Sequence, residues 1–156
     1  MWNSLAGAAA LIVAGSAAAA QVVCRDDRVT VFGDWGQAGF AIDLADDPQE
    51  RAQGLMFVEE MGRLEGMLFV YDGPQRATFW MRNTLIPLDM VFAAPDGTVT
   101  AVHENAVPLD ETTIDGGEGV QYVLEINGGM AGRLGIEPGD VLRHPSIGPD
   151  AAMPCE

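Results

Sequence analysis

The chain contains no lysine, and its eight arginines face 23 aspartates and glutamates, giving a formal net charge of −15 over 156 residues. So acidic a chain repels phosphate backbones and anionic headgroups, which excludes nucleic acid and anionic lipid as general partners. Cysteine is nearly absent. Cys24 and Cys155 are the only two, and neither has a second Cys or a His at ligand spacing, so the sequence offers no metal site built on cysteine. The two histidines, His103 and His144, lack a partner motif and read as ordinary surface or strand positions. No nucleophile–base pair can be picked out, which favours a non-enzymatic role, and no residue set implies a cofactor. After the first residues, no segment is apolar for the roughly 20 positions that a membrane-spanning helix needs. Neither an internal repeat nor a second domain is visible.

The N-terminus has the pattern of an export signal over residues 1–20. Leu5 to Val13 is apolar, Ala14 to Ala20 is a run of small residues, and Ala18-Ala19-Ala20 fits a small-x-small cleavage site before Gln21. No Lys or Arg precedes the apolar core, so only the α-amino group supplies positive charge there. The alternative is an uncleaved anchor, but the apolar part is short for one. Export predicts a periplasmic or secreted location with no integral membrane segment after cleavage. In such an oxidising compartment Cys24 and Cys155 are expected to form a disulfide. Closing a loop of 131 positions would stabilise the chain by up to about 5 kcal/mol in chain-entropy terms. Two free thiols, or lipidation of Cys24, are the alternatives; Val23 stands where a lipidation signal wants a small residue.

Between an N-terminal segment (21–27) and a C-terminal tail (145–156), residues 28–144 read as one β domain. Alternation marks strands over 28–32, 37–44, 76–82, 88–94, 98–104 and 120–127, and the near-continuous apolar run Gly66 to Tyr71 reads as a strand covered on both faces. Asp46 or Asp47, with Pro48 and Glu50 following, starts a short helix expected to reach Leu55 or Met56 with Gly54 inside it. Asp72-Gly73-Pro74, Pro95-Asp96-Gly97 and Glu137-Pro138-Gly139-Asp140 are expected turns, the last of type II. Residues 105–118 read as an acidic, flexible loop, and Gly128 to Leu134 as one or two helical turns. The fold class is mainly β: a compact single-domain β-barrel or sandwich with one or two short helices.

The informative residues lie opposite the apolar faces. If strands 76–82, 88–94 and 120–127 are neighbours, then Trp80, Arg82, Asn83, Thr84, Asp89 and Glu125 share a face. A guanidinium fork beside an indole suits a small anionic or planar ligand. The structural alternative is that Arg82 pairs with Asp89 or Glu125 and seals a barrel end, while Asn83 and Thr84 shape a turn. Three functions follow. The first is a binding or accessory domain for a small molecule or a periplasmic protein, using that face. The second is soft-metal handling, for example Cu(I), by Met56, Met61, Met67, Met81, Met90, Met130 and Met153; Met at inward strand positions usually fills core instead. The third is a hydrolase using Asp89 and Glu125 as acid and base, which requires them about 5–10 Å apart.

Gly-Leu-Met at 54–56, Gly-Met-Leu-Phe at 66–69, Phe-Trp-Met-Arg-Asn-Thr at 79–84, Ile-Pro-Leu-Asp at 86–89, Val-Leu-Glu at 123–125 and Gly-Ile-Glu-Pro-Gly-Asp at 135–140 closely resemble the DUF192 family over roughly residues 40–143. Arg82 stands where many relatives carry Lys, which keeps the charge. The resemblance implies a compact β-rich domain, often exported, and brings no catalytic assignment.

Overall fold

The computed structural model describes residues 23–155, so the expected signal peptide falls outside the described residues. Alternation builds the first hairpin. Val29 and Val31 of β1 (Arg28–Gly33) and Phe40 and Ile42 of β2 (Gly36–Ala45) turn to one side and are buried there. The two strands pair antiparallel from Arg28↔Ala41 to Gly33↔Gly36. Asp47 then caps α1 (Pro48–Gln53), its carboxylate accepting the Glu50 N–H at 2.8 Å, with Pro48 in the first turn. The helix stops short of Leu55. Gly54 lies at φ 49° and is the cap that ends it, not an interior residue.

The strand β3 (Glu65–Gln75) follows, with Leu68 and Phe69 buried on opposite faces. Asp72-Gly73-Pro74 does not turn the chain: the strand runs through them, with a register shift between Val70 and Gln75 that accommodates a proline. The remaining elements are β4 (Thr78–Phe79), β5 (Leu88–Ala93), β6 (Val99–Ala106), β7 (Ile114–Asp115), β8 (Val120–Asn127), α2 (Met130–Leu134) and β9 (Val141–Arg143). The expected strand 76–82 contracts to β4, which pairs with β7 in a separate two-stranded sheet. The acidic segment 105–118 is therefore not a plain loop, since it contains β7. Gly97 and Gly139 take φ 85° and 102° in their turns, and the Asp140 N–H reaches the Glu137 carbonyl at 3.2 Å, as a type II turn requires.

Seven strands form one sheet in the order β6-β5-β8-β3-β2-β1-β9. Its two edges meet at one end through the bridge Thr98↔Val141 and the bond from Val99 N–H to the Asp140 carbonyl at 2.7 Å. The fold is thus mainly β, a curled half-barrel with two short helices. The inner face packs Val29, Phe40, Leu68, Val91, Leu124, Ile126 and Leu142, closed at one end by Met130 and Ala131 of α2. A second cluster covers the outer face, where Leu88, Met90, Phe92, Phe69 and Val123 meet Leu55, Ala77 and Met81. β5 and the middle of β8 are covered on both faces, so Asp89 and Glu125 are both buried there.

Cys24 and Cys155 are joined, their Cα atoms 5.8 Å apart. His144 is not a surface residue. It is 2% exposed; its Nδ1 accepts the Ser146 N–H at 3.1 Å and its Nε2 lies 3.0 Å from the Asp26 carbonyl, tying both chain ends to the barrel. Burial pushes its pKa down, favouring the neutral imidazole.

Candidate functional site

Asp89 and Glu125 sit on neighbouring strands, and strand parity separates them. The β5–β8 register places Asp89 opposite Ile126, and Met90 opposite Glu125. Ile126 belongs to the inner cluster and Met90 to the outer one. Directly opposed residues share a face. Asp89 therefore points into the barrel and Glu125 out of it, so they cannot act together as acid and base, and the hydrolase reading fails on geometry.

Asp89 is fully buried and fully used. Its carboxylate accepts the N–H groups of Asn105 and Gly129, both at 2.8 Å, and of Ala131 at 2.7 Å. It caps α2 from a distance and ties β5 to the end of β6, a structural role.

Glu125 is in the opposite condition. It is 4% exposed, between Met67 on β3 and Met90 on β5. No side-chain hydrogen bond or ion pair reaches it among the described residues, and burial alone pushes its pKa up to about 8. Its carboxyl lies at the floor of a cleft of about 40 Å³, whose walls include Leu55, Met56, Phe69, Phe79, Trp80 and Thr84. Phe79 packs edge-on against Phe69 and Phe92, with centroids at 5.2 and 5.9 Å, which fixes that wall. Arg51 stands at the margin, where its Nη1 donates to the carbonyls of Asp46 and Val70, at 2.7 and 2.8 Å, and its guanidinium lies over the Tyr71 ring.

Of the other expected site residues, Trp80 lines the cleft, whereas Arg82 reaches neither Asp89 nor Glu125. Arg82 is exposed, stacks on Trp80 at 5.3 Å and lies 3.8 Å from the exposed Glu111, a pair worth little in water. Asn83 and Thr84 shape the turn. Asn83 adopts φ 53° and its carbonyl accepts the Phe57 N–H at 2.8 Å, while the Thr84 hydroxyl donates to the Arg82 carbonyl at 3.2 Å. Met81 and Met90 pack in the outer cluster and Met130 in the inner one, so these three thioethers lie on different sides of the sheet.

The sequence reading named Trp80 but missed Phe57, Leu85 and Leu109. Phe57, Trp80, Leu85 and Leu109 are 66%, 44%, 42% and 60% exposed. Two backbone bonds tie Phe57 and Leu109 to the 83–84 turn, whose Thr84 lines the cleft: Phe57 N–H to the Asn83 carbonyl, and Leu109 N–H to the Thr84 carbonyl at 3.1 Å. Phe57 and Leu109 both hold φ 65°, a left-handed conformation that costs bulky residues about 1 kcal/mol or more.

The DUF192 model, described as an uncharacterized ACR, matches residues 29–144. The chain belongs to the DUF192 family. Among solved structures, a protein of unknown function from Novosphingobium aromaticivorans DSM 12444 is 50% identical, with a TM-score of 0.72, over 74% of this chain and 82% of that one. Another, from Sinorhizobium meliloti 1021 and described as a "putative transcription regulator", is 43% identical, with a TM-score of 0.75, over 81% of this chain and 98% of its own. No curated protein matches. This DUF192 domain thus joins relatives that bring a shared fold and no assigned chemistry.

Proposed function

We propose that this DUF192 chain is an exported, non-enzymatic binding domain whose contact surface is the cleft floored by Glu125 together with its rim of Phe57, Trp80, Leu85 and Leu109. The carrying observation is the Glu125 carboxyl, which lines the cleft and takes no side-chain hydrogen bond or ion pair among the described residues. Export is supported by the leader-like first 20 residues and by the disulfide. A cleft of about 40 Å³ falls well below the roughly 300 Å³ at which small-molecule pockets begin. The surface therefore suits a macromolecular partner better than the small anionic or planar ligand that Trp80 and Arg82 first suggest. The regulator description of the relative does not transfer easily, because a net charge of −15 gives phosphates nothing to bind.

The test places a photo-crosslinking amino acid at position 57, 85 or 109, and at Glu137 as a distant exposed control, in the cell that makes the protein. Discrete adducts from the rim positions, lost on Trp80→Ala and absent at 137, are expected. Adducts at 137 alone, or at none of the four, would refute the surface.

A further inference from the structure

Resting on that surface, we infer that its occupant is a segment of a partner protein that inserts one lysine or arginine side chain into the Glu125 cleft and lays flanking apolar residues on the rim. Size selects a side-chain end. About 40 Å³ holds roughly three water-sized volumes, enough for an ammonium or part of a guanidinium. Charge selects the sign. The floor is a carboxyl without a donor, and exposed acids follow the rim residues in sequence: Glu59 and Glu60 after Phe57, Asp110 and Glu111 after Leu109. Trp80, a wall of the cleft, already carries the Arg82 guanidinium over its ring at 5.3 Å, so an aromatic surface there accepts a cation. A second copy of this chain is a poor occupant, because it carries the same charge of −15.

Binding is linked to a proton. The free carboxyl is held protonated by burial up to about pH 8, and an inserted cation requires the carboxylate. The charged or titratable groups nearest Glu125 are Arg51 from α1 and Tyr71 from β3; the neighbouring strand β5 presents Met90. Burial holds Tyr71 above its ordinary value, so it stays neutral below pH 9, and arginine does not titrate in proteins. Affinity should therefore rise about tenfold from pH 7 to pH 9.

Nitrogen-15 NMR titration of the disulfide-intact chain with acetyl-Leu-Lys-Leu-amide, and with the same peptide carrying Gln, tests the inference. At pH 9 the Lys peptide should bind at least tenfold more tightly, shifting the amides of Phe57, Thr84 and Glu125. Only its affinity should depend on pH. Glu125→Gln should equalise the two peptides, while Phe57→Ser should weaken both. Equal binding of both peptides to the wild-type rim would overturn the basic-residue inference while leaving the surface standing. Rim shifts that grow with protein concentration, without peptide, would overturn it in favour of a second copy. Absence of rim shifts with either peptide would also overturn it, and the crosslinking experiment decides separately whether the surface is used.

Discussion

Replacing Glu125 by Gln should change how stability depends on pH more than any other single substitution in the chain. The carboxyl has an ordinary pKa of 4.5 when unfolded, and burial in the outer cluster pushes it up to about 8. Below pH 4.5 both states are protonated and the group is neutral to folding. Between 4.5 and 8 the unfolded chain releases the proton while the folded one keeps it, so stability falls as pH rises. The loss accumulates at about 1.4 kcal/mol per pH unit and reaches about 5 kcal/mol by pH 8, beyond which it is constant. Glutamine has the same shape and no charge to bury. Urea unfolding of wild-type and Glu125→Gln chains from pH 4 to pH 9 should therefore give two curves that coincide near pH 4 and diverge by several kcal/mol at pH 8, the variant being the more stable. Parallel curves would refute the reasoning, because they would mean that Glu125 ionises at its ordinary pKa and has found a partner or solvent.

Asp89→Asn should cost about 3 kcal/mol in urea unfolding at pH 7, because the three N–H donors of Asn105, Gly129 and Ala131 lose a carboxylate and one meets an amide N–H; a loss under 1 kcal/mol would mean that α2 caps itself. Leu109→Gly should raise stability by about 0.5–1 kcal/mol, since glycine takes φ 65° freely and the side chain is 60% exposed, yet it should weaken rim binding. Removing the disulfide by Cys24→Ser with Cys155→Ser should lower unfolding stability by up to about 5 kcal/mol, read as a drop in the urea midpoint; an unchanged midpoint would show that the chain ends dock independently of it.

Strand alternation carried most of the fold. Val29, Val31, Phe40 and Ile42 have period two, and the structure buries each of them. Alternation cannot say which strands are neighbours, and there the reading of the site went astray. The condition that strand 76–82 flank strands 88–94 and 120–127 is half met: β5 and β8 pair, but β4 leaves the sheet for β7. Arg82 consequently points to solvent and Glu111 instead of the two buried acids. Asp72-Gly73-Pro74 misled because a Pro-Gly cluster signals a turn locally, whereas the pairing of β3 on both sides holds those residues extended through an irregularity. Phe57 and Leu109 were illegible for a related reason. Their exposure follows from left-handed backbones that long-range bonds to Asn83 and Thr84 enforce.

The contrast between the two buried acids is what separates scaffold from site. Asp89 and Glu125 are one register step apart across the β5–β8 ladder, both nearly inaccessible, and both carboxyls. The fold supplies Asp89 with three backbone donors, and these are groups that α2 and the end of β6 would otherwise leave unsatisfied, so the acid and its surroundings stabilise each other. For Glu125 the fold supplies methionine and aromatic side chains on the sheet, and the one cation at the margin, Arg51, is already committed to two carbonyls. A glutamine, or an apolar residue of similar volume, would fill that place with no desolvation cost, and burial of a lone carboxyl destabilises the domain near neutral pH. The cleft opens a path from this acid to solvent, and Trp80 of the exposed apolar set lines it. A partner that brings its own donor removes the cost of burial at Glu125 and covers the rim at the same time. The pH dependence of stability and the pH dependence of binding should therefore have opposite signs, and both should level off above about pH 8.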